Sequence, residues 1–200
     1  MGKAKTILVY CNYFRIFIAF LLLKGSKFEE KAFKDIEAYC RYDFSSGYSF
    51  FKFGKILLEE KSIRNVLLNR LHRNPIRYLL FRILFKPLDS LYINTPPENI
   101  GGGLSFQHGF STIVAAKKIG ENCRIFQQCT IGFSIEPPVI DDNVIICAGA
   151  IVIGNVHCHS NSVIGAGSVV TKDVEADSVV AGVPAHWLRQ SDSSRNGASA

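Results

Sequence analysis

The chain has 200 residues, 48% of them hydrophobic, with 23 basic and 17 acidic side chains and a formal charge of +6. A chain of this length and apolar content can bury one substantial core, alone or with a helical subdomain. The positive balance suits an anionic partner such as a phosphorylated cofactor, an acidic glycan or a membrane surface, but no DNA- or RNA-binding motif accompanies it, which argues against nucleic acid.

From the N-terminus, Ile16–Leu23 is an unbroken apolar run between Arg15 and Lys24. It falls well short of the about 20 residues needed to span a bilayer, and Lys24-Gly25-Ser26-Lys27 makes a poor signal-peptide cleavage site. A buried helix is the first expectation and a shallow interfacial anchor the second. Phe28, Ala32, Ile36, Tyr39 and Cys40 trace one face of a second helix, and Gly47-Tyr48-Ser49 interrupts the pattern. Ile56, Leu57 and Leu58, then Ile63, Val66, Leu67, Leu68 and Leu71, rebuild it. Asn74-Pro75 reads as a cap followed by Pro at the first helical position. The helix it opens is predicted to bury Ile76, Leu79, Leu80, Ile83, Leu84 and Leu88, and to end before a Thr95-Pro96-Pro97 linker. Arg70, Arg73 and Arg77 are spaced to share a face; a solvated stripe is expected, with a dock for an anionic acceptor or a membrane as the alternative.

Beyond that linker the pattern changes. Ile119, Ile125 and Ile131 are six apart, and Ile140, Ile146, Val152, Cys158, Ile164, Val170 and Ala176 resume the same period. A small residue often stands four places on: Cys123, Cys129, Val144, Ala150, Val156, Ser162, Ser168, Val174 and Val180. Neither a helical nor a strand period gives this. A strict six suits a triangular prism of short strands in which each apolar residue points inward and stacks on its copy one coil away. Gly and Asn fall at the corners, where positive φ is tolerated. The six cysteines, at 11, 40, 123, 129, 147 and 158, include no CxxC pair. Cys123 and Cys129 fall on one inward position, so they read as buried hydrophobes in a reducing cytoplasm, with no neighbouring base to make a nucleophile. Three regions follow: a helical part over 1–92, a β-solenoid over 93–188, and a polar tail over 189–200 expected to be disordered.

Ile100-Gly101-Gly102-Gly103-Leu104-Ser105-Phe106-Gln107-His108, Gln127-Gln128-Cys129-Thr130-Ile131-Gly132 and Ile164-Gly165-Ala166-Gly167-Ser168 with Ala181-Gly182-Val183-Pro184-Ala185 resemble the hexapeptide-repeat acyltransferases, and within them the serine acetyltransferase type, over about half the chain. The resemblance implies a left-handed parallel β-helix, an exception to the usual handedness of crossovers. It implies acetyl-CoA as donor, lying in a groove between neighbouring copies of a homotrimer. Ala148, Gly149, Ala166 and Gly167 match the positions whose backbone meets the pantetheine arm, and Lys172 and Pro184 match those near the nucleotide.

Acetyl transfer to a hydroxyl needs a base, a held thioester and donors for the oxyanion. Histidine suits the base, and His108 aligns with that of the serine enzymes. His72 and His186 lie in no motif. His157 and His159 flank the inward Cys158 and no third ligand is spaced to join them, so a solvated edge and no metal are expected. The chain also departs from the serine pattern. The orienting Asp falls on Ile93, leaving Asn94 or Glu98 as substitutes. The acid before the base is Gln107, and the loop Gly132–Pro138 lacks the cation that would pair with an amino-acid carboxylate. These losses point to a neutral sugar hydroxyl, held by Phe106, Gln107, Phe110, Phe133 and Glu136. The resemblance extends to capsule and O-antigen O-acetyltransferases with hydrophobic, basic N-terminal halves. The leading expectation is therefore a cytoplasmic polysaccharide O-acetyltransferase, with peripheral contact to the inner membrane face left open. The alternatives are a serine O-acetyltransferase, a nucleotide-sugar N-acyltransferase and a non-catalytic β-helix scaffold.

Overall fold

The computed structural model describes residues 7, 9–40, 50–133 and 135–191; the expected break at Gly47-Tyr48-Ser49 and the tail beyond Ser191 lie outside them. Among the described residues, helices α1 (Tyr13–Leu23), α2 (Glu29–Cys40), α3 (Phe50–Glu59), α4 (Lys61–Leu71) and α5 (Pro75–Leu84) precede the strands. The chain then winds into a parallel β-solenoid of about five turns.

Successive turns lay short strands on three faces, with face B reduced to single bridges in the end coils, Ile100 to Ile119 and Cys158 to Val174. Face A holds β1 (Leu91–Ile93), β3 (Thr112–Val114), β6 (Thr130–Gly132), β9 (Ile151–Ile153) and β12 (Val169–Val170). Face B holds β4 (Lys118–Ile119), β7 (Val139–Ile140) and β10 (His157–Cys158). Face C holds β2 (Ser105–Gln107), β5 (Arg124–Phe126), β8 (Ile145–Ile146), β11 (Val163–Ile164), β13 (Ser178–Ala181) and β14 (His186–Gln190). The chain visits them in the order C, A, B.

The six-residue period explains the register. Ile125, Ile146 and Ile164 are aligned on face C, and Ile131 and Val152 on face A. All are buried, as are the residues four places on from Cys123 to Val180. Each buried aliphatic side chain contributes roughly 1.5–3 kcal/mol. The period fails at its last member: Ala176 is exposed, and Val174 takes the inward position by bridging to Cys158. The turn after β12 is shortened, so the count of six slips by two. Residues 189 and 190, expected in the tail, instead end β14, which folds back antiparallel on β13 and closes that edge of face C.

At the other end the helices cover the first coil. α4 lies against β1 and β2, and Val66 belongs to the solenoid core. The joint is polar and buried. Arg70 donates to Asp35 from Nε (2.8 Å) and Nη2 (3.1 Å), and to the carbonyls of Pro97, Ile100 and Gly101. Asp35 also accepts from the amides of Gly103 and Leu104, both at 2.9 Å. Burial pushes the Asp35 carboxyl up, opposed by the Arg70 guanidinium and the two amides. The glycines here are steric: a Cβ on Gly101 would lie 2.5 Å from the backbone of Gly120 in the next coil.

The arginine stripe is therefore only partly solvated. Arg70 is buried, Arg73 pairs with Glu98, and Arg77 donates to the carbonyls of Leu22 and Lys24 at the end of α1. Thr95-Pro96-Pro97 is not a linker either. It lies inside the first coil, where the buried Thr95 hydroxyl donates to Ala116 O (3.0 Å) and accepts from Ala116 N (2.9 Å). On α5 the predicted buried face is turned outward. Phe81 and Phe85 pack inside while Ile76, Leu79, Leu80 and Ile83 are exposed, because two phenyl rings fill more of the helical core than the smaller aliphatics. Asn74 caps α5 as expected, accepting from Arg77 N at 3.1 Å. α1 is half-buried: Ile16, Ala19 and Leu23 point in, and Phe14, Phe17 and Leu21 point out.

Candidate active site

His108 stands at the corner where face C passes to face A. The register pairs Gln107 with Phe126 and Ile113 with Thr130. Six steps separate the first pair's lower member from the second's (113 − 107), against four in the coil above (130 − 126). The two extra residues bulge the corner outward. His108 (φ 64°) and Gly109 (φ 67°) are both left-handed there, a conformation that a non-glycine residue adopts at a cost.

The corner continues upward through Gln127-Gln128, Ala148-Gly149 and Ala166-Gly167. Gln128 N donates to Phe110 O (2.9 Å), Gly149 N to Gln127 O (3.0 Å) and Gly167 N to Ala148 O (2.9 Å). Gly149 and Gly167 have φ of 70° and 65°, and a Cβ added at Gly167 would meet nothing within 4 Å. Their small size leaves an open shelf of backbone in line with the imidazole. Lys172 lies apart from this column, on the exposed turn that leaves β12, and Pro184 sits in the β13–β14 connection.

Beside His108 is a cavity of about 280 Å³ walled by Lys55, Glu59, Glu60, Gln107, His108 and Arg124, among others. Arg124 Nη2 donates to Gln107 Oε1 at 2.5 Å, and its guanidinium lies over the Phe126 ring at 4.9 Å. Tyr39 fixes the strand that ends at His108. Its hydroxyl accepts from Phe106 N and donates to Ser62 Oγ, both at 3.0 Å, and burial pushes the phenol up. Among the described residues, the polar contact to the His108 ring is Gln107 Nε2 at 3.5 Å from Nε2, too long to hold the ring. Neither proposed substitute for the orienting Asp reaches it. Asn94 N bonds Val114 O on face A, and Glu98 pairs with Arg73.

Of the expected acceptor residues, Gln107 borders the cavity and Phe110 lies on the same corner, exposed. Phe106 lines the cavity while buried in the solenoid core, so it offers no exposed ring for stacking. Phe133 and Glu136 are exposed on the β6–β7 loop, at the far edge of face A from His108. The structure thus separates a set that the sequence grouped. What the sequence analysis missed is charge. Lys55, Glu59 and Glu60 come from α3 and its end, and Arg124 from β5. Arg124 was legible, since the hexad register places it outward one coil above Ser105; the docking of α3 was not.

The four solenoid cysteines offer no activated nucleophile. Burial pushes the thiols of Cys123 and Cys158 up to about 12 and that of Cys129 up to about 11, and raises Cys147 as well. His157 and His159 are not a bare solvated edge. Asp141, one coil below on face B, lies 2.9 Å from His157 Nε2 and 3.5 Å from His159 Nδ1, supplying the third ligand-type group that spacing did not reveal.

No protein-family model matches the chain. A serine acetyltransferase of Staphylococcus aureus is 40% identical over 101 residues, 48% of this chain and 47% of that protein. The chain thus spans about half the length of the curated relatives it matches. Among solved structures, Neisseria gonorrhoeae serine acetyltransferase in complex with serine superposes with a TM-score of 0.62 at 27% identity, covering 84% of this chain and 72% of that one. A serine acetyltransferase in complex with CoA gives 0.55 at 26% identity, covering 80% and 69%. The fold is the helix-capped parallel β-solenoid of those structures.

These similarities overturn the sugar-acceptor expectation. It rested on Ile93 and Gln107 in place of acids and on the missing cation in the Gly132–Pro138 loop, yet the proteins similar to this chain are serine acetyltransferases and one of them holds serine. The physical reason is that charge need not come from position 107 or from that loop. Cations and carboxylates border the cavity from another strand and from a helix. The capsule and O-antigen resemblance receives no support.

Proposed function

We propose that the protein is an acetyl-CoA-dependent O-acetyltransferase whose acceptor is the hydroxyl of serine. The observation that carries this is the cavity beside His108, which has both signs of charge on its wall. A zwitterion needs a cation for its carboxylate and a carboxylate for its ammonium, since either charge left unpaired on leaving water is costly. Arg124 and Lys55 supply the first and Glu59 and Glu60 the second. Similarity to a serine-bound enzyme supports the same acceptor.

His108 takes the proton of the serine hydroxyl as its oxygen attacks the thioester carbonyl. The imidazolium then returns a proton to the departing thiolate. Acetyl-CoA lies along the shelf of Ala148, Gly149, Ala166 and Gly167, where backbone N–H and C=O groups meet the pantetheine arm, and Lys172 and Pro184 stand towards its nucleotide end. A neighbouring copy in a homotrimer forms the opposite wall. Light scattering at the mass of three chains supports that assembly, and a monomer rejects it.

The acceptor assignment is tested at Arg124. Replacing Arg124 by Met should raise the KM for serine on the order of tenfold or more, the weight of one charge-assisted hydrogen bond, and leave the KM for acetyl-CoA unchanged. An unchanged serine KM rejects the charge-pairing site.

We also infer that α1 and α5 rest on an anionic lipid surface. The helices run side by side, tied by Arg77 to Leu22 O and by Arg15 to Leu84 O. Phe14, Phe17 and Leu21 of one and Ile76, Leu79 and Ile83 of the other are exposed. Neither helix contains an acidic residue, while Arg15 and Arg82 lie on them and Lys24 follows α1. Two copies joined through this face would set like charges together, whereas anionic headgroups complement them. No helix among the described residues is long and apolar enough to cross a membrane. Sedimentation with vesicles containing phosphatidylserine, reduced by salt and by Leu79→Glu/Ile83→Glu, is the expected result. Failure to sediment, or self-association through this face, rejects it.

A further inference from the structure

We propose that Asp141, His157 and His159 form a binding site for a divalent transition-metal ion of the zinc class, on face B of the solenoid and apart from the His108 corner. The three side chains are half-buried, and one ligand atom from each lies within 4.8 Å of the others. Asp141 Oδ2 is 2.9 Å from His157 Nε2 and 3.5 Å from His159 Nδ1. Zinc bonds nitrogen and carboxylate oxygen at about 2.0–2.2 Å, so tetrahedral ligand atoms stand roughly 3.3 Å apart. The observed separations bracket that spacing.

The fold makes the arrangement. His157 and His159 flank Cys158, whose side chain points into the core, so strand alternation turns both imidazoles outward on one side. Their rings stack with centroids 3.9 Å apart. The parallel register pairs Cys158 with Ile140, which sets Asp141 directly beneath His159. His157 is further held by its own backbone, whose N–H donates to Asp173 Oδ1 at 2.8 Å. A rigid backbone carrying all three ligands leaves only side-chain rotations for an ion to induce.

Two imidazoles and one carboxylate suit zinc, cobalt or nickel over magnesium or calcium, which prefer oxygen. Three protein ligands leave a fourth position for water. The ion joins one coil to the next, and acetyl transfer, placed at another corner, does not require it.

The test uses the 200-residue chain carrying Cys11→Ser, which removes an exposed thiol, with cobalt(II) as spectroscopic probe and zinc(II) by calorimetry. The expected result is one equivalent of metal per chain, visible d–d absorption without thiolate charge-transfer bands, and a melting temperature raised by zinc. The His157→Gln/His159→Gln variant should lose that equivalent and the thermal shift. Its circular dichroism in the absence of metal should match the parent, and Asp141→Asn should weaken binding at least tenfold. No stoichiometric binding, or binding and thermal shift unaltered in the double variant, overturns the proposal.

Discussion

Two corners of the same solenoid meet the same backbone demand with opposite chemistry. Where face B passes to face C, the first coil uses Gly103, and the left-handed positions of the later coils are Asn122, Asn143, Asn161 and Asp177. Their side chains are spent on one another: Asn143 Nδ2 donates to Asn161 Oδ1 at 3.0 Å, and Asn161 Nδ2 to Asp177 Oδ1 at 2.9 Å. Where face C passes to face A, the matching positions above His108 are Gln128, Gly149 and Gly167; the two glycines carry no side chain, and their N–H groups bond the coil below. Asparagine reaches the left-handed region because its amide can bond locally; glycine does so because it has no Cβ. The first solution staples successive coils together. The second leaves a shelf with a histidine at its foot. Regularity alone therefore does not mark a site; what sets the second corner apart is the missing side chains at Gly149 and Gly167 above His108.

The comparison can be broken most severely at its foot. Replacing His108 by Ala should lower turnover by ~10²–10⁴-fold with CoA affinity nearly unchanged, as read by steady-state kinetics and calorimetry. The next largest effect is on folding. Arg70→Met strands Asp35 among buried groups and should cost about 3–5 kcal/mol in urea denaturation, because the clasp between helices and first coil loses its cation. Gly167→Asn, which keeps a residue able to adopt positive φ, should leave stability within about 1 kcal/mol of the parent yet raise the KM for acetyl-CoA on the order of tenfold. The converse change on the other corner, Asn161→Gly, should cost about 1 kcal/mol of stability with no change in that KM. If both substitutions move the KM alike, the two corners are not functionally different. Smallest of all, the native protein at pH 8 should leave Cys123, Cys129 and Cys158 unlabelled by iodoacetamide in peptide mapping, since burial holds these thiols far above that pH.

Much of the solenoid was legible because one residue in six faces a single inward line, and burial enforces that line from Ile119 to Val170. Legibility ended where the period did, at Ala176 and β14. It was also weak in the helical half, where choosing the inward face depends on which neighbours arrive. Phe81 and Phe85 displaced the aliphatic face of α5, and Arg70 went inward because Asp35, thirty-five residues earlier, was waiting. The same limit shaped the site. That Gly149 and Gly167 fall at corners of successive coils follows from the register, whereas a role in holding CoA was implied by the resemblance alone. The wall of the cavity is built by α3, and no spacing rule links Lys55 or Glu59 to a strand some fifty residues away. Asp141 was missed for a related reason: its partners lie sixteen and eighteen residues on, one coil apart, a separation the hexad register contains but a search for local ligand spacing does not.

The most direct measurement of the central claim is CoA release by the purified protein given acetyl-CoA and L-serine, run beside L-serinamide, N-acetylserine and His108→Ala. The account predicts release matched mole for mole by O-acetylserine, reduced at least tenfold when either charge of the amino acid is removed, and lost with the imidazole. Release that is indifferent to those charges, or absent with L-serine altogether, would contradict it.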